Sequence, residues 1–212
     1  MSGDLVNRFT DTLDAVDASV GIMQGTIKPI RDGLPESDFK VTGSGGGLSS
    51  FQSAMRELAA TAIYANTSAP QSLRESTKLF CTGIGGFDAH SNINWIYPNL
   101  ITEVACGLKG LVKSLHNNSL LNDTAILVHS EFGRTTAQNG SAGTDHAGAS
   151  HGLLIGGRVR RQAVGPDPSV NEANNQNHFT PQLPFSCGLA TAFGGSRIYR
   201  GTNEPDNPGA PR

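Results

Sequence analysis

The sequence predicts an α/β fold built on an open, mostly parallel sheet, and three observations carry that expectation. Short apolar runs at Leu79–Thr82, Ala125–Val128 and Leu153–Ile155 read as strands. Between the first two lies a helical stripe, Leu100, Val104, Leu108, Leu111, Val112 and Leu115, which makes strand, helix and strand a βαβ unit with its strands parallel. Polar motifs adjoin the strands: Gly-Phe-Asp88-Ala-His90 and Ser130-Glu131-Phe-Gly-Arg134 directly follow the first two, and Gly-Thr144-Asp145-His146 lies in a Gly-rich loop before the third. In an open parallel sheet the loops diverge at the carboxyl ends of the strands and leave a crevice there. Asp88, His90, Glu131, Asp145 and His146 are therefore expected to converge at one rim.

Taken in order, residues 4–24 place Leu5, Phe9, Leu13, Val16, Val20 and Met23 three or four apart, the stripe of an amphipathic helix. Gly25 to Gly47, with Pro29, Pro35 and a Gly45-Gly46-Gly47 run, reads as a connector with little regular pattern. Those glycines precede a helix N-terminus, but without a Lys-Ser/Thr pair they read as linker rather than phosphate cradle. Ser50 to Asn66 is helical, with Phe51, Met55, Leu58, Ala59 and Ile63 on one face and Ser49 or Ser50 as N-cap. A strand over Lys78–Gly83 then ends in Gly85-Gly86, where the absence of a Cβ allows a sharp turn that aims Asp88. The next helix runs from Asn99 to Leu115, ended by Asn117-Asn118, with His116 at its C-terminus facing the negative end of the dipole. Beyond the third strand, residues 165–184 read as a long polar loop, 184–193 as a short helix, and the tail past Gly201 as extended. The domain reading is one α/β domain over residues 1–200 followed by a tail at 201–212.

A chain of 212 residues buries a sizeable core. Its formal net charge is −2, from 16 basic and 18 acidic residues without a run of one sign, so neither nucleic acid nor an anionic membrane is expected as partner. No stretch approaches the ~20 apolar residues of a membrane span, and no charged-then-apolar leader follows Met1. With 26 glycines, 11 prolines and 16% charged residues, the composition is that of a loop-rich fold whose surface another chain can partly cover. Cys81, Cys106 and Cys187 lack metal-finger spacing, and Cys81 and Cys106 are expected as small buried apolar residues.

Asp88 and His90 sit two apart, so in an extended segment both point to one side and can hold one cation through carboxylate and imidazole; His146 is the third candidate. An Asp/His/His set suits zinc or a similar divalent ion with a position left open for water or substrate. The plainer alternative for Gly-Phe-Asp-Ala-His is an Asx turn with an exposed imidazole. Arg134 either clamps an anion bidentately or pairs with Glu131 or Asp145. Thr144 and Ser130 carry hydroxyls, but no general base stands beside either in sequence. His151 reads as structural or as a support behind a ligand, and His178 as a loop residue.

Taken together, Gly-Phe-Asp-Ala-His, Ser-Glu-Phe-Gly-Arg-Thr, Asn139-Gly140 and Gly-Thr-Asp-His resemble, in this order and spacing, the DUF1501 proteins, most strongly over about residues 77–165. That group is placed in the alkaline phosphatase/sulfatase superfamily. The resemblance implies a three-layer α/β/α sandwich with a mostly parallel sheet, lacking here the first strand, which in the family bears a metal-ligand Asp and leads to the nucleophile. It implies a divalent metal held by Asp88, His90 and His146, zinc first, with calcium and manganese as alternatives. Glu131 stands where the superfamily has the Asp of a second pair, with His129 two residues ahead. Glu131, Arg134 and Asp145 are the catalytic candidates. Family members carry export signals for the most part, which implies an exported protein.

Two functions from different classes follow. The first is a metal-dependent hydrolase of phosphate or sulfate esters, with a small anionic ester as substrate. The second is a non-catalytic binding or structural subunit of a larger assembly, with a protein partner or a second copy covering the open sheet edge.

Overall fold

The computed structural model describes residues 21–76, 79–165, 179–181, 184, 188, 191 and 192. The predicted helix over 4–24, the loop over 165–184, the helix over 184–193, the tail, Cys187 and His178 fall wholly or largely outside these. Among the described residues the chain divides into two compact units, one of 21–76, 79–88 and 95–120, the other of 89–94 and 121 onward.

The first unit is helical. A π-helical turn at Met23–Ile27 runs into α1 (Lys28–Gly33), which holds Pro29 in its first turn. A 3-10 turn at Glu36–Phe39 follows. The stretch expected to be a connector of little pattern therefore carries three short helical pieces, because Ile27 and Phe39 gain burial that coil would leave exposed. Next comes α2 (Ser50–Thr67), which starts with a reciprocal cap: the Ser49 hydroxyl accepts from the Gln52 amide (3.2 Å), and the Gln52 side chain accepts from the Ser49 amide (3.0 Å). The short α3 (Gln71–Ser76) follows, and then α4 (Ile93–Asn117).

Phe39, Met55 and Leu115 are the largest fully buried side chains of the unit. Two glycines of α4 make room for them: Gly107 lies against Phe51 and Met55, and Gly110 against the Phe39 ring. A satellite cluster gathers Ile27, Ala60, Tyr64 and Ala69 under Ile30, Leu34 and Leu73. Around it Arg56 donates to the Leu34 carbonyl (2.8 Å), and Arg31 pairs with Glu57 (3.2 Å).

Helix α4 begins six residues before the expected start, so Pro98 lies inside it. Proline forfeits one intrahelical bond there, and the Thr102 hydroxyl donates back to the Pro98 carbonyl (2.6 Å). The segment ahead of α4 is tied to it: the Tyr97 hydroxyl donates to the Phe87 carbonyl (2.8 Å), and the two rings meet edge-on at 5.5 Å. Gly86 takes φ +94 beside Leu100, a backbone conformation that favours glycine.

The second unit holds four short strands: β1 (Ile126–Val128), β2 (Gly133–Arg134), β3 (His146–Ala147) and β4 (Leu153–Ile155). Strand β1 pairs antiparallel with β4, with Leu127 opposite Leu154, and β2 pairs antiparallel with β3, with Arg134 opposite His146. A 3-10 turn at Leu121–Asp123 leads in, and the Gly157 amide donates to the Leu121 carbonyl (3.0 Å).

The fold expectation is thereby corrected: among the described residues there is no parallel sheet and no three-layer α/β/α sandwich, but a helical unit and a second unit with two antiparallel two-strand sheets. Leu79–Thr82 forms no strand among the described residues; Leu79 is 62% exposed and Cys81 is exposed rather than buried. Without that strand α4 is not a crossover. Strands β1 and β4 are antiparallel because the residues joining them contain a hairpin and no helix, and parallel neighbours need a long crossover. An apolar run of four residues does not distinguish a strand from an extended segment that lacks a partner.

Packing at Gly110 generates a test. Alanine normally favours a helix interior over glycine by about 1 kcal/mol, but here its Cβ would meet the Phe39 ring at 2.3 Å. Gly110→Ala is therefore expected to destabilise the protein by about 1–3 kcal/mol, read as a lower urea midpoint at unchanged m-value. A rise in the midpoint refutes this packing.

Candidate metal centre

The site begins with a backbone docking. Residues 89–94 lie along residues 139–143: Ser91 bridges Ala142, the Asn92 amide donates to the Ser141 carbonyl (3.2 Å), and the Ile93 amide to the Ala142 carbonyl (3.0 Å). Asn92 and Ala142 both take positive φ, 50° and 58°, the bends that let the two segments meet. The contact has no clearance, since a Cβ on Gly143 would stand 2.2 Å from the His90 carbonyl carbon.

Asn139 holds the other side of the contact. Its side-chain oxygen accepts from the Ser141 and Gly143 amides (3.0 Å each), an Asx-type turn, and its amide nitrogen donates to the His90 carbonyl (3.0 Å) and to Asp145 Oδ1 (3.2 Å). Beyond that turn the chain enters β3. The ladder with β2 continues one residue further: the Thr135 amide donates to the Asp145 carbonyl (2.8 Å), and the Asp145 amide to the Thr135 hydroxyl (3.0 Å).

Two imidazoles face each other as a result. His90 Nε2 lies 3.2 Å from His146 Nε2, with ring centroids 4.9 Å apart and planes tilted by 39°. His90 Nδ1 lies 3.1 Å from Asp145 Oδ1. An ionised carboxylate only accepts, so the proton of a neutral His90 belongs on Nδ1 and the lone pair on Nε2. Phe132 stacks on His146 at 3.9 Å and 19°, which sets the plane of that ring. Asp88 completes the group: donor atoms of Asp88, His90 and His146 all lie within 4.8 Å of one another, and all three residues are exposed.

Two nitrogens bound at about 2.0–2.1 Å in tetrahedral array stand about 3.3 Å apart. The observed 3.2 Å between the Nε2 atoms matches that edge, so the residues present fit a divalent ion. A ligating imidazole whose other nitrogen donates to a carboxylate is the usual supporting arrangement, and His90 with Asp145 has it.

The other candidates are placed as follows. Asp145 stands behind His90 and outside the donor group. Arg134 is used by the scaffold: Nε donates to the Thr144 hydroxyl (3.0 Å), Nη2 donates to the Ala89 carbonyl (2.6 Å) and to the Thr144 carbonyl, and the guanidinium lies 5.9 Å from the Phe132 ring centre. Glu131 is exposed in the turn before β2 and outside the donor group. The two hydroxyls are engaged elsewhere, Thr144 accepting from Arg134 and Ser130 donating to the Phe132 carbonyl (2.7 Å). His129 and His151 are exposed and outside the donor group. Two residues received no role from sequence reasoning: Asn139, whose only signal is an Asn-Gly turn pair, and Phe132, whose place beside an imidazole no spacing reveals.

These observations define a protein with an open, solvent-facing Asp/His/His group suited to a cation. A family model described as a protein of unknown function (DUF1501) matches residues 67–183, more than half of the chain and all of this group. The chain belongs to that family. No curated protein and no solved structure matches it.

Asp145 generates a pH test. The hydrogen bond from His90, then that from Asn139, hold its carboxyl below the ordinary carboxylate value. A depressed folded-state pKa stabilises the fold above the unfolded value, about 3.9, and that contribution is lost as pH falls through the depressed one. In a carboxyl carbon NMR titration Asp145 should move at lower pH than an unpartnered aspartate, and in His90→Ala it should return toward the ordinary value. A midpoint at or above 3.9 in the wild type contradicts the geometry.

Proposed function

We propose that this protein is a metal-dependent hydrolase acting on phosphate or sulfate esters, of the type found in the alkaline phosphatase/sulfatase superfamily. The observation that carries the reading is the facing pair His90 Nε2 and His146 Nε2, 3.2 Å apart with Asp88 in reach. Asp88, His90 and His146 are the residues that would hold the ion. Two imidazoles with one carboxylate suit zinc and accept manganese; calcium, which takes six to eight oxygen ligands, suits them less. When bound, such an ion polarises an ester oxygen and acidifies a water molecule.

The chain's own residues have distinct tasks in this reading. Asp145 keeps the His90 lone pair on Nε2. Phe132 holds the plane of His146, and Arg134 ties β2 to the Ala89 carbonyl, one residue from His90. Glu131 precedes Phe132 in sequence and is exposed, and proton transfer is assigned to its carboxylate. Arg134 is assigned to the scaffold rather than to an anion clamp, since its Nε and Nη2 already meet Thr144 and Ala89.

A second reading, a non-catalytic subunit of a larger assembly, draws on one observation: Leu79, Trp95 and Ile101 are 62%, 82% and 55% exposed, large apolar side chains that a partner chain could cover. The tests are metal content and turnover. Purified protein dialysed against zinc should retain about one ion per chain, at least tenfold less after Asp88→Ala or His146→Ala, and the zinc form should cleave an aryl phosphate or an aryl sulfate. Loss of turnover in Glu131→Gln with zinc retained supports the assigned proton transfer. Stoichiometric zinc without turnover of either ester leaves the second reading.

A further inference from the structure

We infer that Asn139 is the positioning residue of this centre, acting through Asp145 on His90. The inference rests on the proposed metal site for its purpose, but its geometry is independent of any ion. Both halves of the Asn139 amide are used, each for a different task. The oxygen, by accepting from the Ser141 and Gly143 amides, shapes the turn that carries Gly143 against the His90 backbone. The nitrogen, by donating to the His90 carbonyl and to Asp145 Oδ1, spans from the main chain of His90 to the carboxylate behind its ring.

Asp145 Oδ1 thus receives two donors, His90 Nδ1 at 3.1 Å and Asn139 Nδ2 at 3.2 Å. Asp145 is more than half exposed, and its backbone is held by Thr135 alone among the bonds described. A carboxylate so exposed keeps one rotamer only where fixed donors hold it, and the His90 ring cannot be that fixed point because it is the group being oriented. Asn139 supplies the fixed point: its own position is set by two backbone amides, so it ties the carboxylate to the same backbone that carries the imidazole. The result is a closed loop of contacts, His90 carbonyl to Asn139 to Asp145 to His90 Nδ1, that determines both the tautomer and the direction of Nε2.

Asn139→Asp separates the two tasks. A carboxylate of the same shape still accepts from Ser141 and Gly143, so the turn is kept, while both donated bonds are lost and an acceptor faces the Asp145 carboxylate and the His90 carbonyl. Nitrogen NMR of the metal-free protein at about pH 8 should show neutral His90 predominantly as the Nδ1–H tautomer in the wild type and a mixture in Asn139→Asp. Zinc alone, titrated into each, should bind the variant about 10–100-fold more weakly. In the unsubstituted protein the Asn139 side-chain amide protons should exchange more slowly than those of solvent-facing asparagines, a measurement that stands even where the variant does not fold. A shifted tautomer with no zinc bound by the wild type supports the positioning role and rejects the metal reading. An unchanged tautomer with unchanged zinc affinity in Asn139→Asp, or unprotected Asn139 amide protons, overturns the inference.

Discussion

Everything at the candidate centre depends on one close backbone approach, that of Gly143 to the carbonyl of His90. Two residues distant in sequence carry the facing imidazoles, and neither lies on a long element. His90 sits in an irregular segment and His146 opens a two-residue strand. What brings them within 3.2 Å is the pairing of 91–93 with 141–142, and that pairing is available only because position 143 has no side chain. A methyl group there would hold the segments apart by more than the hydrogen bonds between them tolerate.

The centre is consequently stabilised in a different way from the helical unit. There Phe39, Met55 and Leu115 are withdrawn from water, and the gain scales with apolar area. Around His90 and His146 most partners are exposed and the framework is polar: Asn139, Arg134 and Thr135 each join two pieces of chain through side-chain hydrogen bonds. Each such bond contributes on the order of 1 kcal/mol, so the framework holds through their number and mutual consistency rather than through a core. The Asp88, His90 and His146 donor group is also exposed, so one side of it stays open to solvent.

Some of this was legible in the residues. The stripe from Phe51 to Ile63 and a serine cap at 49 or 50 specified α2, because helical period and cap chemistry are local properties, and the fold decided for Ser49. The part of α4 from Asn99 to Leu115 was legible for the same reason, but its start was not: the helix begins six residues earlier, where Tyr97 packs against Phe87. The runs at 126–128 and 153–155 were recognisable as strands, whereas their mutual antiparallel pairing was not. Cys81 shows the limit most plainly, since its burial was inferred from a strand that does not form among the described residues.

For the site, the residue types and their order in the chain were enough to nominate Asp88, His90 and His146 and to indicate the family, because donor chemistry belongs to side chains and survives any fold. Which of the neighbouring polar residues touch these three was settled by contact alone. Asp145 adjoins His146 in sequence yet supports His90, fifty-five residues away, and Arg134 serves the scaffold through the Ala89 carbonyl rather than facing an anion. Such assignments depend on which atoms lie within about 3 Å of one another, a distance that no spacing along an unfolded chain encodes.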